Sequence, residues 1–481
     1  MKSKLKVLFV AAECSPIIKA GGLGDVAGEL PAKLRERGAD VCVVIPGNKD
    51  IKIPARYKTD FPVRMGSRTE TCIVREAAES KVPIWIIDNY HYFGRSGIYG
   101  HSDDPERFAF FCLAVFEYIK TFEPNFDIVH LNDWHTAPLA MLIRENEKKT
   151  PSLSDISIVY TIHNLEYQGI SPWDIFTLFG VSGDVFTADK VEFFGSFNAM
   201  KAGINYADII TSVSKTSAIQ MQTAEFGFGL EGVLKNRRDS LRGVVNGINP
   251  NVWNPENDEA IYVRYNRETL HNKKQNKTGL QKELGLEICD KPVCCVVSRL
   301  VANKGLDLLE GAVPDIIREG GQFVLLGSGD KFYEETFLML KKRFPGSVSV
   351  NIEFNSQKAR RIYAGSDILL MPSRYEPCGL TQLIAMRYGT IPVVHKTGGL
   401  ADTVTDEISN KGSGNGFVFS KYSLDTFTDL IRKVFSYYRN REDWTNLMLR
   451  AMSRDSSWDA PAGEYLEIYG EAVEKNKRRK N

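Results

Sequence analysis

Short apolar runs without polar alternation recur along the chain, and they restrict its fold more than any other feature. "VLFVAA", "DVCVVIP", "VPIWIID", "DIVHLND", "ISIVYTIHN", "ADIITSVS" and "LRGVVNG" are all β-rich. Between them lie helical periods such as "PERFAFFCLAVFEYIKTF", in which Phe108, Phe111, Cys112, Val115, Phe116, Ile119 and Phe122 share one face. Strands that are apolar throughout suit a parallel sheet covered by helices on both sides. After "NGINPNVWNPENDEAIYVRYN" the alternation starts again with "PVCCVVSRL", "GGQFVLLGSGD", "SVSVNIEFN", "SDILLMPSRYE" and "TIPVVHKTGG". The pattern predicts the α/β class with two doubly wound domains, and the polar stretch from Asn249 to Lys291 reads as the hinge between them. Ligands of such sheets bind beyond the carboxyl ends of the strands. Two such domains facing a central cleft would suit a nucleotide-linked substrate that meets a second substrate.

A length of 481 residues agrees with two or three domains, and 43% hydrophobic with 25% charged residues is the balance of a globular chain with ample core. The net charge of +1 advertises neither a nucleic-acid nor a membrane partner. The one basic run, "KNKRRKN", reads as a solvated helix end with its cations at the negative pole, although nucleic acid is its alternative partner. Eight cysteines are scattered without any C-x-x-C, as expected of reduced core thiols in a cytoplasmic protein. The apolar part of "MKSKLKVLFVAA" is too short for a secretion signal, and no run approaches a membrane span. It reads as the first strand.

Five stretches carry candidate chemistry. In "KAGGLGDVAGEL", Gly21, Gly22 and Gly24 permit a tight turn and close approach of backbone N–H groups to a ligand. Lys19 adds a cation, and Asp25 is placed to cap the helix that follows. The spacing is neither the dinucleotide fingerprint nor a Walker loop, and a plain strand-to-helix turn is the alternative. In "SRLVANKG", Arg299 and Lys304 follow a strand and could both reach a diphosphate; two surface cations near a helix start is the alternative. In "SRYEPCGLTQLIAMRYG" a helix is expected to start near Cys378, with open N–H groups at Gly379, Leu380 and Thr381 as an anion site. Glu376, just outside that end, would repel a phosphate and is expected to face a sugar hydroxyl; a capped helix is the structural alternative. In "HLNDWHTAPLA" and "YTIHNLEYQG", Asp133, Trp134, His135, His163 and Asn164 follow two successive strands. Polar and aromatic side chains there suit sugar recognition; satisfied structural histidines are the alternative.

The chain has no Asp-x-Asp triplet for a metal-diphosphate clamp, no H-E-x-x-H and no G-x-S-x-G.

Taken together, "KAGGLGDV", "YFGRSGIYG", "HLNDWHT", "YTIHNLEYQG", "VVNGINPNVWNP", "SRLVANKG", "SRYEPCGLTQLIAMRYGTIPVVHKTGGLADTV" and "GNGFVF" occur in the order and spacing of the glycogen and starch synthase family, and the chain resembles its bacterial type from end to end. The resemblance implies the GT-B fold of two Rossmann-like domains. The N-terminal domain is expected over residues 1–248, rejoined by the C-terminal helix 456–481. The C-terminal, nucleotide-sugar domain is expected over 249–455.

The implied activity is transfer of glucose from ADP-glucose to an α-1,4-glucan with retention of configuration, without metal or cofactor. The alternatives are a related transferase using UDP-glucose or a glucan-binding protein of the same fold. Phosphorylases with pyridoxal and sugar-nucleotide epimerases share the fold too.

By this resemblance Lys19, Gly21, Gly22 and Asn246 would bind ADP-glucose, together with Arg299 and Lys304 on its diphosphate and the amides of Gly379, Leu380 and Thr381. Glu376 matches the acid near the donor glucose, and His163 the histidine whose backbone oxygen faces the anomeric centre. Tyr99, Asp133, Trp134 and His135 would line the acceptor channel. Two departures stand out: Ala20 replaces the usual threonine or valine, and "NIEFNSQKARRIYAGSD" differs near the adenine pocket, which leaves ADP-glucose and UDP-glucose both open as donors. Ile384 stands where broader relatives carry a second glutamate.

Overall fold

The computed structural model describes residues 4–78, 80–122 and 125–480. The chain divides into two compact units, Met1–Gly247 with Trp458–Asn481, and Ile248–Ser457.

The first unit is built on β1 (Lys6–Val10), β2 (Asp40–Pro46), β3 (Ala55–Met65), β4 (Arg68–Ala77), β5 (Ile84–Asp88), β6 (Ile128–Asn132) and β7 (Ser157–Ile162). A small antiparallel sheet of β8 (Ile170–Ser171), β9 (Glu192–Phe193) and β10 (Ser196–Asn198) follows, and β11 (Ile209–Ser212) and β12 (Leu241–Gly243) complete the main sheet. The main sheet has nine strands in the order β12-β11-β7-β6-β1-β2-β5-β4-β3. From β12 to β5 every pairing is parallel. Strands β1, β6 and β7 are buried almost throughout, as their uninterrupted apolar runs require.

Sequence order reverses between β1 and β6. Their connections leave in opposite directions, and a crevice opens beyond their carboxyl ends.

The β3–β4 hairpin is antiparallel and was not evident in the sequence. Its strands turn one face to solvent, so that Val63, Met65, Cys72 and Val74 are buried while charged neighbours stay outside. That half-polar pattern lacks the continuous apolar signature of the parallel strands.

Helix Asp459–Lys480 covers one face of the first unit's sheet. Ala462, Tyr465, Ile468, Tyr469 and Ala472 share a core with Val7, Phe9, Val43 and Leu30. The Tyr469 hydroxyl lies 2.8 Å from Nδ1 of His130, which sits in β6 with its Nε2 2.6 Å from Oγ1 of Thr161. Burial pushes the His130 imidazole down to about 3, so the ring is neutral and its two nitrogens serve one donor and one acceptor role.

The second unit carries a six-stranded parallel sheet of β13 (Val293–Val297), β14 (Gln322–Leu326), β15 (Val348–Asn351), β16 (Ile368–Met371), β17 (Ile391–His395) and β18 (Phe417–Phe419). The order is β15-β14-β13-β16-β17-β18, which places the reversal between β13 and β16.

The stretch 249–291, read from the sequence as a hinge, is folded into this second unit. Lys273 is buried there and donates to the carbonyls of Tyr363, Ala364 and Tyr388 at 2.9–3.1 Å and to Oγ1 of Thr390 at 2.9 Å. The acceptors that satisfy this buried lysine lie outside the stretch, where local sequence does not reveal them. No disulfide forms among the eight cysteines, and all but Cys289 are buried.

Candidate active site

In the first unit, the connection leaving β1 carries the glycine turn. Helix Gly22–Glu36 starts at the second glycine, with Gly21 as an extended N-cap that has no side-chain cap. Asp25 does not cap it, as the sequence suggested. Its carboxylate lies within the first turn and grips Lys19 Nζ at 2.6 and 2.7 Å.

The turn is closed instead by Glu13, a residue no motif had marked. Its Oε2 accepts hydrogen bonds from the amides of Ala20 and of Gly21, the latter at 3.0 Å. Glu13 is 2% exposed, and burial raises its carboxyl above the ordinary range against the lowering pull of these bonds. A Cβ at Gly24 would meet Lys19 Cγ at 2.9 Å and Glu13 Oε2 at 3.1 Å, so this glycine is the space through which the lysine stem passes.

Around the same crevice the other strand ends bring up rings and amides. The Tyr99 hydroxyl donates to Glu13 Oε1 at 3.2 Å, and its ring lies 4.8 Å from that of His135, which stands 4.2 Å from Trp134. Buried Arg107 secures the loop before Tyr99 through the carbonyls of Tyr92 and Ile98. Part of the Trp134 indole is covered from within the unit: a Cβ at Gly169 would lie 2.3 Å from its Cε3.

Asp133 adopts φ 57°, and its Oδ1 accepts from the amides of His163 at 2.8 Å and Asn164 at 3.3 Å. Burial raises the Asp133 carboxyl to about 7. The His163 imidazole is pushed down to about 3 by burial and is neutral. Because the Asn132 amide donates to the Val10 carbonyl at 3.0 Å, its Oδ1 faces His163 Nε2 at 2.9 Å, which places the proton on that nitrogen. Asn246 is buried near the end of β12, and its Oδ1 has no hydrogen-bond partner among the described residues.

In the second unit, the connection after β13 carries Arg299 and Lys304, and the one after β16 carries Glu376. These are the two edges of the crevice at the reversal point. Gly305, at φ 71°, lets the first loop lie directly on the second: a Cβ there would fall 2.0 Å from the Pro372 carbonyl oxygen. The Arg374 amide also donates to the Asn303 carbonyl at 2.9 Å.

The result is a tight pair. Lys304 Nζ donates to Glu376 Oε2 at 2.6 Å, and Ser373 Oγ donates to the same oxygen at 3.0 Å. Arg299 is exposed and makes no ion pair among the described residues. The helix after Glu376 runs from Thr381 to Arg387 with Leu380 as N-cap, three residues later than the sequence suggested. Gly379 takes φ 72° and the turn before it carries Pro377, so the backbone enters the helix only after them. Its N-cap makes no side-chain hydrogen bond.

In the first unit Gly21 and Tyr99 meet at Glu13, the rings of Tyr99, His135 and Trp134 adjoin, and Asp133 holds the His163 amide; in the second, Lys304 and Glu376 touch.

Comparison with known proteins agrees with this pattern. Residues 6–236 match the starch synthase catalytic domain, and residues 282–447 match the glycosyl transferases group 1. The chain is 42% identical over 481 residues to a glycogen synthase of Moorella thermoacetica, with 99% of each chain covered. It is 44% identical to a glycogen synthase of Desulforudis audaxviator, with 98% of this chain and 97% of that one covered.

The chain belongs to the glycogen and starch synthase family.

A solved member, the catalytic domain of starch synthase IV from Arabidopsis thaliana bound to ADP and acarbose, superimposes with a TM-score of 0.93 at 32% identity, covering 98% of this chain and 100% of that one. The fold is therefore the GT-B type of this family, and the protein is a hexosyltransferase of the glycogen and starch synthases. No helix among the described residues is long and apolar enough to cross a membrane.

Proposed function

We propose that this synthase transfers glucose from ADP-glucose to the non-reducing end of an α-1,4-glucan, with retention of configuration and release of ADP. The observation that carries the reading is the likeness, over nearly the whole chain, to a starch synthase bound to ADP and acarbose.

In this reading the leaving ADP is the group to stabilise. Arg299, Lys304 and the helix end at Gly379, Leu380 and Thr381 supply preorganised positive potential, worth a few kcal/mol where water is excluded. Lys19 adds a further cation, and Asn246 offers its amide oxygen to the donor. Glu376 directs the donor sugar. Its Oε2 already carries both the Lys304 and the Ser373 hydrogen bonds. That makes it a positioning carboxylate rather than a free nucleophile, although retention in glycosidases normally uses one.

The acceptor 4-hydroxyl therefore attacks from the face that the phosphate leaves, its proton passing to a phosphate oxygen, while the His163 backbone oxygen faces the anomeric centre. Tyr99, Asp133, Trp134 and His135 form the acceptor side, and the enzyme works in the bacterial cytoplasm.

The test is nucleoside diphosphate release from ADP-glucose and from UDP-glucose, each with and without glycogen or maltooligosaccharides. Acceptor-dependent ADP release with chain lengthening is expected. Faster turnover of UDP-glucose would overturn the donor assignment. Absence of release with either donor would leave a glucan-binding protein, and a covalent glucosyl-enzyme at any carboxylate would overturn same-face attack.

A further inference from the structure

The glycine turn presents a difficulty for a simple phosphate-binding role. Its first two amides, Ala20 and Gly21, are already taken by the chain's own carboxylate. A phosphate approaching those amides would meet Glu13, which is buried and held in place by charge-assisted bonds at the positive end of helix Gly22–Glu36.

The two oxygens of this carboxylate are divided between different partners. Oε2 serves the turn that carries Lys19, and lies 3.1 Å from where a Gly24 Cβ would stand, beside the lysine stem. Oε1 receives the Tyr99 hydroxyl, and through the Tyr99 ring it reaches His135 and Trp134.

We propose that Glu13 is a positioning residue that joins the donor side to the acceptor side within the first unit, one carboxylate oxygen setting the Lys19 turn and the other setting Tyr99. The inference rests on the transfer reaction proposed above, in which Lys19 meets the nucleotide sugar and Tyr99 the glucan. It assigns the turn's first two amides to an internal anion. The donor then meets Lys19 and not those amides. It also makes the pose of Lys19 and the pose of Tyr99 depend on a single side chain.

Four single variants and one double variant test this by steady-state kinetics with ADP-glucose and a maltooligosaccharide, with circular dichroism and melting temperature as the check of folding. Glu13→Ala should raise the KM of donor and of acceptor at least about tenfold each, because both poses are lost. Tyr99→Phe should raise only the acceptor KM, about fivefold. Adding Tyr99→Phe to Glu13→Ala should bring no further acceptor loss, since both remove the same contact. Glu13→Gln keeps the reach of the side chain, with one oxygen for both amides and an amide donor for the tyrosine oxygen, and should recover most of both affinities. Glu13→Asp keeps the charge but draws the oxygens back by roughly 1.5 Å, and should fail to recover them.

The proposal is overturned if folded Glu13→Ala leaves both KM values within twofold. It is equally overturned if the Glu13→Ala and Tyr99→Phe losses multiply, or if Glu13→Asp recovers function and Glu13→Gln does not. Wild-type protein runs alongside: no transfer by it refutes the proposed function, whereas an active wild type with unaffected variants refutes only the role of Glu13.

Discussion

Replacing Gly305 by alanine strikes the contact that brings Lys304 to Glu376. Gly305 has φ 71°, and a Cβ built on it lies 2.0 Å from the Pro372 carbonyl oxygen. The left-handed conformation costs alanine about 1–2 kcal/mol, and the Cβ and the oxygen must separate by roughly 1.5 Å to reach ordinary contact. Gly305 follows Lys304 directly, and Pro372 opens the turn that carries Glu376. Whichever loop yields, the 2.6 Å contact between Lys304 Nζ and Glu376 Oε2 is disturbed. Misplacing a catalytic group by about 1 Å costs on the order of a hundredfold in rate.

Gly305→Ala should therefore lower kcat about a hundredfold, with a fall in Tm of only a few degrees. Gly285→Ala is the matched control. Gly285 has φ 69°, yet nothing lies within 4 Å of its built Cβ. It carries the same backbone strain without the collision, and should lower Tm while leaving kcat alone. Initial rates of ADP release and thermal melts of both variants give the comparison. A Gly305→Ala enzyme that turns over within threefold of wild type, with the Tm loss of Gly285→Ala, would refute the argument that this close approach sets the site.

Lys19→Ala should raise the KM for ADP-glucose by roughly tenfold or more through loss of a charge-assisted contact, whereas Glu376→Ala should lower kcat far more than donor affinity; comparable mild effects from both would contradict the roles assigned. Glu29 is raised to about 7 by burial, while its Oε2 accepts a 2.6 Å bond from the Trp458 indole. A carboxyl raised in the fold contributes stability that is full below its unfolded value and is lost as pH rises through about 7. Melting curves should then show wild type losing up to about 3 kcal/mol more than Glu29→Gln between pH 5 and pH 8, and parallel curves would refute this. Tyr469→Phe leaves His130 Nδ1 without its buried partner, and should destabilise the docked helix Asp459–Lys480 by about 1–3 kcal/mol, seen as faster amide exchange within that helix.

Much of the fold could be read directly from the chain. Strands such as β1, β7 and β13 are apolar without interruption because helices cover both faces, and that burial leaves its mark residue by residue. The β3–β4 hairpin leaves no such mark because its outer face is wet and its composition resembles that of a loop. The stretch 249–291 reads as a linker for the opposite reason: the acceptors that satisfy its buried Lys273 lie about 90 to 117 residues further along. Asp25 looks like a helix cap by position, yet its partner is the lysine six residues before it.

The site shows the same division. Lys19, Arg299, Lys304, Glu376 and the residues around His163 could be named from local spacing, because each motif is contiguous and stands at a strand end. Which of them touch was decided by the tertiary structure alone. The Lys304–Glu376 pair spans 72 residues, and the Tyr99–Glu13 bond spans 86.

Periodicity and motif spacing therefore determined the two doubly wound sheets and the side chains available at their carboxyl edges, since burial and turn geometry act over a few residues at a time. Hydrogen bonds and charge act through space, across distances set by strand order. Only the folded sheets could assign Glu13 to the glycine turn and Lys304 to Glu376.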